Sequence, residues 1–302
     1  MTDPAESSQT RHILLTGSEG GVGRHLRALL PRHGYLVRGL DIVEPLHPTD
    51  DHRVADLRDL DAVRDAVRGM DAIVHAGAIP NDVGDGRAVI ETNATGTWNV
   101  MQAALEAGVR RVVAFSSINA QGSVGGWRPT EYLPIDDDYP PHPMTPYQLS
   151  KHLGEEICRS FSERHGIVTL CLRPVWVTHP VHYANEGLGT DEFVEAWRDD
   201  FWAYVDVRDV ADAVLRCLRL DGVLHDRFLL AAPDTASHLP TSDLVDRWFP
   251  TVPWPAQDRQ VYLASDAHRS LIDCSHARTV LGWVPRHAWR DQRADVTHEH
   301  EG

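Results

Sequence analysis

HILLTGSEGGVG, residues 12–23, runs from an apolar segment directly into a glycine-rich loop. The apolar residues predict a short buried strand, and helical spacing of leucines begins just after Gly23. The loop has G-x-x-G-x-x-G spacing. Its glycines would allow a tight turn, close approach of a pyrophosphate and packing of the helix on the strand. A plain tight turn is the alternative interpretation of three glycines. The free N–H groups at the helix start favour a dinucleotide site, formed by Gly17, Gly20, Gly21, Val22 and Gly23.

Two acidic residues accompany this loop. Asp41 ends the second predicted strand, 18 residues after Gly23, where a carboxylate is expected to accept hydrogen bonds from a ribose. Such a carboxylate repels the 2′-phosphate of NADP, so the sequence favours NAD, although Asp is also common as a turn residue at strand ends. Glu19 lies inside the glycine loop. We expect it to point to solvent, because an anion beside a pyrophosphate is unfavourable.

Strand and helix patterns alternate along the first half of the chain. The predicted strands cover residues 12–16, 36–40, 72–75, 111–115 and 167–172, and the longest helices lie near 90–107 and 147–165. This alternation is typical of an α/β fold with a doubly wound parallel sheet of the Rossmann type. We predict an NAD-binding core over residues 11–173. In residues 174–302, a helix over 207–220 and a strand near 228–231 return to the core, and the remainder forms a small C-terminal substrate lobe.

Composition excludes several classes of partner. The chain has 302 residues and a formal net charge of −15, which argues against binding to nucleic acid or to an anionic membrane surface. No apolar run approaches the length that spans a bilayer. Four scattered cysteines without a CxxC pair predict a reduced cytoplasmic protein, and no histidine pair has the HExxH spacing of a metal site.

A second group of residues carries acid–base chemistry. Tyr147 and Lys151 stand at i, i+4 on one face of a predicted helix, and Ser117 follows the fourth predicted strand. A neighbouring ammonium, together with a positive nicotinamide ring, is expected to lower the pKa of the phenol. Tyr147 would then exchange the proton of a substrate hydroxyl, with Ser117 hydrogen-bonded to the same oxygen.

Together these motifs resemble the extended short-chain dehydrogenase/reductases, the group called the NAD-dependent epimerase/dehydratase family. The matching segments are TGSEGGVG at 16–23, LD at 40–41, ADL at 55–57, HAGA at 75–78, TNATGTWNV at 92–100, FSS at 115–117, YQLSK at 147–151, LRP at 172–174 and YVDVRDVADAV at 204–214. The resemblance implies a catalytic triad of Ser117, Tyr147 and Lys151. It also implies a homodimer formed through the helices at 90–107 and 147–165, although simple packing of these helices on the sheet is the alternative.

The resemblance assigns further residues to the cofactor and the substrate. Asp56 and Leu57 would flank the adenine, and Asn93 would be a cofactor-side or helix-supporting residue. The remaining residues expected at the cofactor are Ala76, Gly77, Ala78, Tyr147, Lys151 and Pro174. The residues expected at the substrate are Ile79, Ser117, Ile118, Asn119, Tyr147 and Trp176.

Departures from the family pattern narrow the function. No acid pair follows Ser117, which disfavours dehydration, and Trp176 stands where nucleotide-sugar epimerases usually have Asn. The segment before Tyr204 is short and acidic, in a layout similar to that of uronate dehydrogenases, although Ile118-Asn119 replaces their Asn-His pair. We therefore expect an NAD-dependent oxidoreductase acting on a secondary alcohol of a free sugar or sugar-like small molecule.

Two other functions remain open at this stage. A nucleotide-sugar epimerase using transient oxidation would have nearly the same motifs, and Arg247, Arg259 or Arg269 could fold over the site to bind its diphosphate. A nucleotide-sensing regulator on the same fold is a third hypothesis, and the presence of the Tyr-Lys pair counts against it.

Overall fold

The computed structural model describes residues 11–47, 51–82, 84–185 and 187–291. The strands are β1 His12–Thr16, β2 Leu36–Asp41, β3 His52–Val54, β4 Ala72–His75, β5 Arg111–Phe115, β6 Val168–Pro174, β7 Trp176–Thr178, β8 Tyr204–Asp206 and β9 His225–Leu230. Seven of them form one sheet in the order β3-β2-β1-β4-β5-β6-β9, in which every neighbouring pair is parallel. The predicted doubly wound parallel sheet is therefore confirmed.

Helices cover both faces of this sheet. Their bounds are α1 Gly21–Leu29, α2 Leu60–Val67, α3 Gly86–Ile90, α4 Gly96–Ala107, α5 Pro146–His165, α6 His182–Asn185, α7 Asp191–Ala196, α8 Val207–Cys217, α9 Thr241–Trp248, α10 Arg259–Ala264 and α11 Ser275–Leu281. Short 3-10 turns cover Leu30–His33, Ile118–Gln121 and Arg198–Asp200, and a π-helical turn covers Glu91–Thr95.

The central strand explains why both faces are covered. Ile13 and Leu15 belong to the hydrophobic cluster on one face, whereas Leu14, between them, belongs to the cluster on the other. Successive side chains of a strand point to opposite faces, so a strand that is apolar at every position needs helices on both sides. All three residues are fully buried.

The order of the strands determines where a ligand can enter. From β1 the chain builds outward through β2 and β3, and then returns to place β4 on the other side of β1. Connections that diverge from two neighbouring parallel strands leave a crevice at their carboxyl ends. The loops that begin at Gly17 and Ala76 therefore face each other across this crevice.

Several predicted element boundaries shift in the structure. The helix predicted over 207–220 ends at Cys217, and the strand predicted near 228–231 spans His225–Leu230 because it pairs along its whole length with β6. The first part of the helix predicted near 90–107 is a π-helical turn, and the hydroxyl of Thr97, in α4, donates to the Asn93 carbonyl of that turn.

The region after residue 174 contributes to the sheet and also packs over it. Its strands β7 and β8 form a two-stranded parallel sheet, while β9 extends the central sheet. Backbone contacts connect its last part to a proline-rich loop that precedes α5 and covers residues 129–145. The Leu133 amide donates to the Pro253 carbonyl, and Ile135 forms a β-bridge with Ile272. The boundary between core and lobe at 173/174 stays a prediction, and residues 292–302 lie outside the described residues.

Across the described ranges, no helix combines the length and the apolar character that a membrane crossing requires.

A buried ion pair joins α5 to the sheet. Both oxygens of the Glu155 carboxylate accept from the Arg173 guanidinium, at 2.8 Å each, and Oε1 also accepts from the Ser116 hydroxyl at 2.6 Å. The side chains of Glu155 and Arg173 are 1% and 2% exposed. A buried pair of this kind depends on both partners, because removal of one leaves an uncompensated charge.

We predict that Glu155→Gln lowers the free energy of unfolding by about 3 kcal/mol, because the Arg173 guanidinium loses its hydrogen-bonded counter-charge and keeps only the Asp137 carboxylate, 3.6 Å away. Glu156 is the matched control, since it pairs with Arg159 on the same helix but is 38% exposed. Glu156→Gln should change stability by less than about 1 kcal/mol. Urea unfolding curves measure both free energies. Equal decreases for the two variants would show that the buried Glu155 pair stabilises the fold no more than the exposed Glu156 pair.

Candidate active site

A cavity of about 590 Å³ lies at the carboxyl ends of β1, β4, β5 and β6. Its floor is formed by the glycine loop and by Ala76 and Ala78, and its inner wall by Ser117, Tyr147 and Lys151. The residue following β6 and the segment before β8 form the outer wall. Residues far apart in sequence are thus brought to one crevice by the topology.

The glycine loop fits a pyrophosphate. Gly17 has a φ of +67°, and a Cβ there would lie 2.6 Å from the backbone nitrogen of Gly77. A Cβ at Gly23 would lie 2.0 Å from the Gly17 carbonyl oxygen, so neither position accepts a side chain. Helix α1 has no capping side chain and no acid in its first turn. Its first N–H groups therefore remain available to phosphate oxygens.

The expectation that Glu19 points to solvent is wrong. Its side chain is 3% exposed, its carboxylate pairs with Arg27 of α1, and Arg24 lies 3.6 Å away. The backbone amide of Leu46 also donates to this carboxylate, at 3.4 Å. The two arginines of α1 neutralise Glu19, which allows an acid to be buried beside a phosphate loop.

Asp41 is held at the end of β2. Its Oδ2 accepts from the Glu19 amide at 2.9 Å, and its Oδ1 accepts from the Ile42 amide at 2.7 Å. The carboxylate thus performs the local turn function that the sequence left as an alternative, at a position beside the glycine loop. Arg38 does not approach it, because its guanidinium pairs with Asp51. Contact of Asp41 with a ribose stays a prediction.

The residues expected near the adenine occupy different surroundings. Asp56 pairs with Arg58, whose hydrogen bonds hold the pKa of the carboxyl below its usual value. Leu57 is buried, and a Cβ at Gly77 or Gly96 would lie within 3 Å of its side chain. Leu57 therefore packs the turn after β4 against α4, and neither residue lines the described cavity.

Asn93 supports the cavity rather than lining it. Its side chain accepts from the Ile79 amide at 2.8 Å and donates to the Ile79 carbonyl at 3.0 Å and to the Ser150 hydroxyl at 3.0 Å. This contact fastens the loop after β4 to α5. Ile79, expected at the substrate, is thus held by its backbone, and its neighbours Pro80 and Asn81 line the cavity instead.

The start of α5 positions Tyr147. Thr145 and Gln148 form a capping box, in which each side chain accepts from the other's backbone N–H, and Pro146 occupies the first turn. The Tyr147 amide donates to Asp82 Oδ1 at 2.7 Å. The helix therefore begins at a defined residue and presents Tyr147 and Lys151 to the cavity.

The predicted triad is assembled in the cavity wall. Lys151 Nζ donates to the Phe115 carbonyl at 2.9 Å and lies 5.8 Å from the centre of the Tyr147 ring. Ser117 Oγ accepts from the backbone amide and side-chain amide of Asn119, at 3.2 and 3.3 Å. The Ser117 hydroxyl is also hydrogen-bonded to Tyr147.

The expectation of a lowered tyrosine pKa is wrong for the chain by itself. Burial raises the pKa of Tyr147 above its ordinary value, and the hydrogen bond from Ser117 opposes this only in part. Burial also lowers the pKa of Lys151, to about 8. Burial determines the pKa of Tyr147 because the ammonium of Lys151, one helical turn away, is directed to the Phe115 carbonyl and not to the phenol.

The outer wall contains predicted and unpredicted residues. Pro174, Trp176, Ile118 and Asn119 line the cavity as expected. Sequence reasoning missed five others: Val175, Val177, Trp197, Asp200 and Ala203. The last three come from the segment before β8, which carries no motif, and only the excess of aromatic and acidic residues there could have indicated them.

Comparison with known proteins agrees with this geometry. The model of the NAD dependent epimerase/dehydratase family matches residues 13–229. Uronate dehydrogenase of Pseudomonas syringae pv. tomato is 34% identical over 174 residues, covering 56% of this chain and 61% of that protein. L-arabinose 1-dehydrogenase (NAD(P)(+)) of Haloferax volcanii is 33% identical over 176 residues, covering 55% and 66%. The chain thus spans less than two thirds of the length of these curated relatives.

Solved structures share the fold over nearly the whole chain. A short-chain dehydrogenase/reductase superfamily protein from Agrobacterium tumefaciens, with bound NAD, has a TM-score of 0.72 at 24% identity and covers 97% of this chain and 100% of that one. Uronate dehydrogenase from the same organism has a TM-score of 0.67 at 23% identity, covering 95% and 89%.

We predict that this chain binds NAD more tightly than NADP, and that Asp41→Asn narrows the preference by about tenfold or more, because the 2′-phosphate no longer meets a carboxylate. Asp65→Asn is the control, since it removes the same charge from an exposed position on α2. Calorimetric titration with both cofactors measures the ratio. Tighter binding of NADP by the unmodified protein would show that the role assigned to Asp41 is incorrect.

Proposed function

The chain belongs to the NAD-dependent epimerase/dehydratase family, and on that premise we propose that it is an oxidoreductase acting on a secondary alcohol of a free sugar or sugar-like small molecule. NAD is the cofactor of the family, and the glycine loop fits its pyrophosphate. The observation that carries the proposal is the position of Ser117, Tyr147 and Lys151 in one wall of the cavity, opposite that loop.

The chain's own residues handle the proton of the reaction. Bound NAD would supply the acceptor for the hydride that leaves the substrate carbon, and its positive ring would favour the Tyr147 phenolate. Tyr147 takes the hydroxyl proton as the carbon–hydrogen bond breaks, so the products are a carbonyl compound, the reduced cofactor and one proton. Ser117 holds the substrate oxygen beside Tyr147, and Lys151, 5.8 Å from the centre of the Tyr147 ring, places a positive charge on the same face of α5.

The cavity supports a free substrate over a nucleotide sugar. Among the described residues, the only basic side chain that lines it is Lys151. Arg247 pairs with Glu195, Arg259 pairs with Asp246, and Arg269 lies over the Tyr262 ring at 3.7 Å. The three arginines that could have bound a diphosphate are therefore engaged elsewhere.

We also propose a homodimer in a reducing cytoplasm. Trp98 on α4 and Leu149 on α5 are 48% and 41% exposed, although both are large and apolar. These helices are the ones through which the family resemblance predicts a dimer. The compartment rests on the scattered cysteines, of which Cys158, Cys171 and Cys217 are buried.

Removal of the Tyr147 hydroxyl tests the mechanism. Tyr147→Phe should lower turnover by about 10²–10⁴-fold, because acid–base help is lost, while NAD affinity stays near that of the unmodified protein. Tyr35→Phe is the control, since Tyr35 directly precedes β2, at the amino ends of the parallel strands, and does not line the cavity. Turnover and cofactor binding are measured on the same preparation, and unchanged turnover of Tyr147→Phe would remove this residue from the mechanism.

A substrate screen tests the activity itself. We expect free sugars or sugar derivatives to produce one NADH per molecule oxidised, read from NADH absorbance, and UDP- and TDP-sugars to produce none. Micromolar binding of UDP alone, or interconversion of nucleotide sugars without net NADH release, would replace this proposal with the epimerase alternative. No turnover with any alcohol, despite NAD binding, would favour the sensing regulator.

A further inference from the structure

The outer half of the cavity has a composition of its own. Trp176 is the first residue of β7, whereas Trp197, Asp200 and Ala203 come from the segment between α7 and β8. These residues face the space beyond the catalytic wall, where the part of a substrate that does not react would lie. If the chain has the activity proposed above, these residues determine which substrates fit.

Asp200 is fixed in this wall by a strained turn. Phe201 and Trp202 have φ values of +55° and +53°, a conformation that bulky residues rarely adopt. Both side chains are almost completely buried, and Trp202 Nε1 donates to the Val194 carbonyl at 2.7 Å. The Ala203 amide donates back to the Asp200 carbonyl at 3.1 Å. Burial of the aromatic side chains thus stabilises a backbone that places Asp200 at the cavity.

The Asp200 carboxylate is available as a hydrogen-bond acceptor in the cavity wall. No described residue forms a hydrogen bond or ion pair with its carboxylate, and its neighbour Asp199 pairs with Arg198 instead. Burial, with a smaller contribution from Asp199, raises the pKa of Asp200 to about 6. At neutral pH the group is still mainly ionised, so it attracts hydroxyl donors and repels a second carboxylate.

The charge around Asp200 does not offset this effect. The only other charged side chain among the described lining residues is Lys151, and its ammonium donates to the Phe115 carbonyl next to the catalytic wall. An anionic substituent in the outer half would therefore be buried beside Asp200 without a cation, which is strongly unfavourable.

The aromatic side chains offer a face for a sugar ring. The Trp176 and Trp197 rings lie 4.5 Å apart at 39°, and Phe193 stacks on Trp197 at 5.1 Å and 14°. This packing holds the two indoles in place. An indole next to a carboxylate matches a polyhydroxylated ring, which presents C–H groups on its face and hydroxyl donors on its edge.

We propose that the substrate is a neutral aldose, whose ring packs on Trp176 and Trp197 and whose hydroxyls donate to Asp200, and that Asp200 excludes sugar acids. Of the two relatives named above, one is by its name an L-arabinose dehydrogenase and the other a uronate dehydrogenase. We expect this chain to resemble the first of them in the charge of its substrate.

The test compares sugars that differ in charge. A panel of neutral pentoses and hexoses is assayed for NADH release together with the uronates of the same configurations. We expect the preferred neutral sugar to exceed its uronate in kcat/KM by about a hundredfold or more. A uronate as the better substrate would overturn the assignment. Absence of NADH with all of them would instead refute the proposed function.

Two variants distinguish recognition from structural damage. Asp200→Asn should raise KM for the neutral sugar about ten- to hundredfold with little change in kcat, because a charged acceptor is lost from binding alone. It should also narrow the discrimination against the uronate. Asp199→Asn, next to it and outside the cavity lining, should stay within about twofold of the unmodified protein, the spread expected of an exposed ion pair.

Tryptophan fluorescence provides a readout apart from activity. Trp176 and Trp197 line the cavity, so sugar binding should quench emission, with a dissociation constant that Asp200→Asn raises and Asp199→Asn leaves unchanged. Equal constants for the unmodified protein and Asp200→Asn would overturn the role given to Asp200, whatever the substrate is.

Discussion

The buried ion pair between Glu155 and Arg173 is the interaction on which the geometry of the site depends. Glu155 lies on α5, the helix that carries Tyr147 and Lys151, and Arg173 lies on β6 directly before Pro174. Because Glu155 also accepts from the hydroxyl of Ser116, the residue before Ser117, one carboxylate joins the three elements that form the catalytic wall. Two charges buried in this way require each other, and this requirement fixes the helix against the sheet.

The cofactor side of the cavity depends on a different constraint, the close approach of two loops. Thr16 at the end of β1 is hydrogen-bonded to His75 at the end of β4 at 2.7 Å, and His75 is bonded in turn to Thr97 of α4 at 3.0 Å. Burial lowers the pKa of His75 to about 3, so the imidazole stays neutral and acts as a structural link. With the strand ends joined, only glycine fits at position 17, and the floor of the cavity is bare backbone.

The sequence predicts the core well because its signals are local. The apolar run before Gly17 predicts a strand, and the i, i+4 spacing of Tyr147 and Lys151 predicts one helix face, each from a few neighbouring positions. Burial of Glu19 was not predictable, since it depends on an ion pair with Arg27, farther along α1. The raised pKa of Tyr147 was missed for a related reason: spacing shows that Lys151 is near, but only the structure shows that its ammonium donates to Phe115. Trp197 and Asp200 reach the cavity through tertiary packing, which the spacing of apolar residues in the sequence does not indicate.

The catalytic wall was predictable and the part of the outer wall that precedes β8 was not, because the two halves of the cavity are built differently. The catalytic wall belongs to regular elements whose hydrogen bonds and buried charges leave little freedom for substitution. The outer wall is positioned by aromatic packing around Phe201 and Trp202, and the Asp200 side chain takes no part in that packing. A change at Asp200 would alter the charge of the substrate accepted without disturbing proton transfer at Tyr147. With the roles proposed above, the reaction belongs to the sheet and α5, and the choice of substrate belongs to the segment before β8.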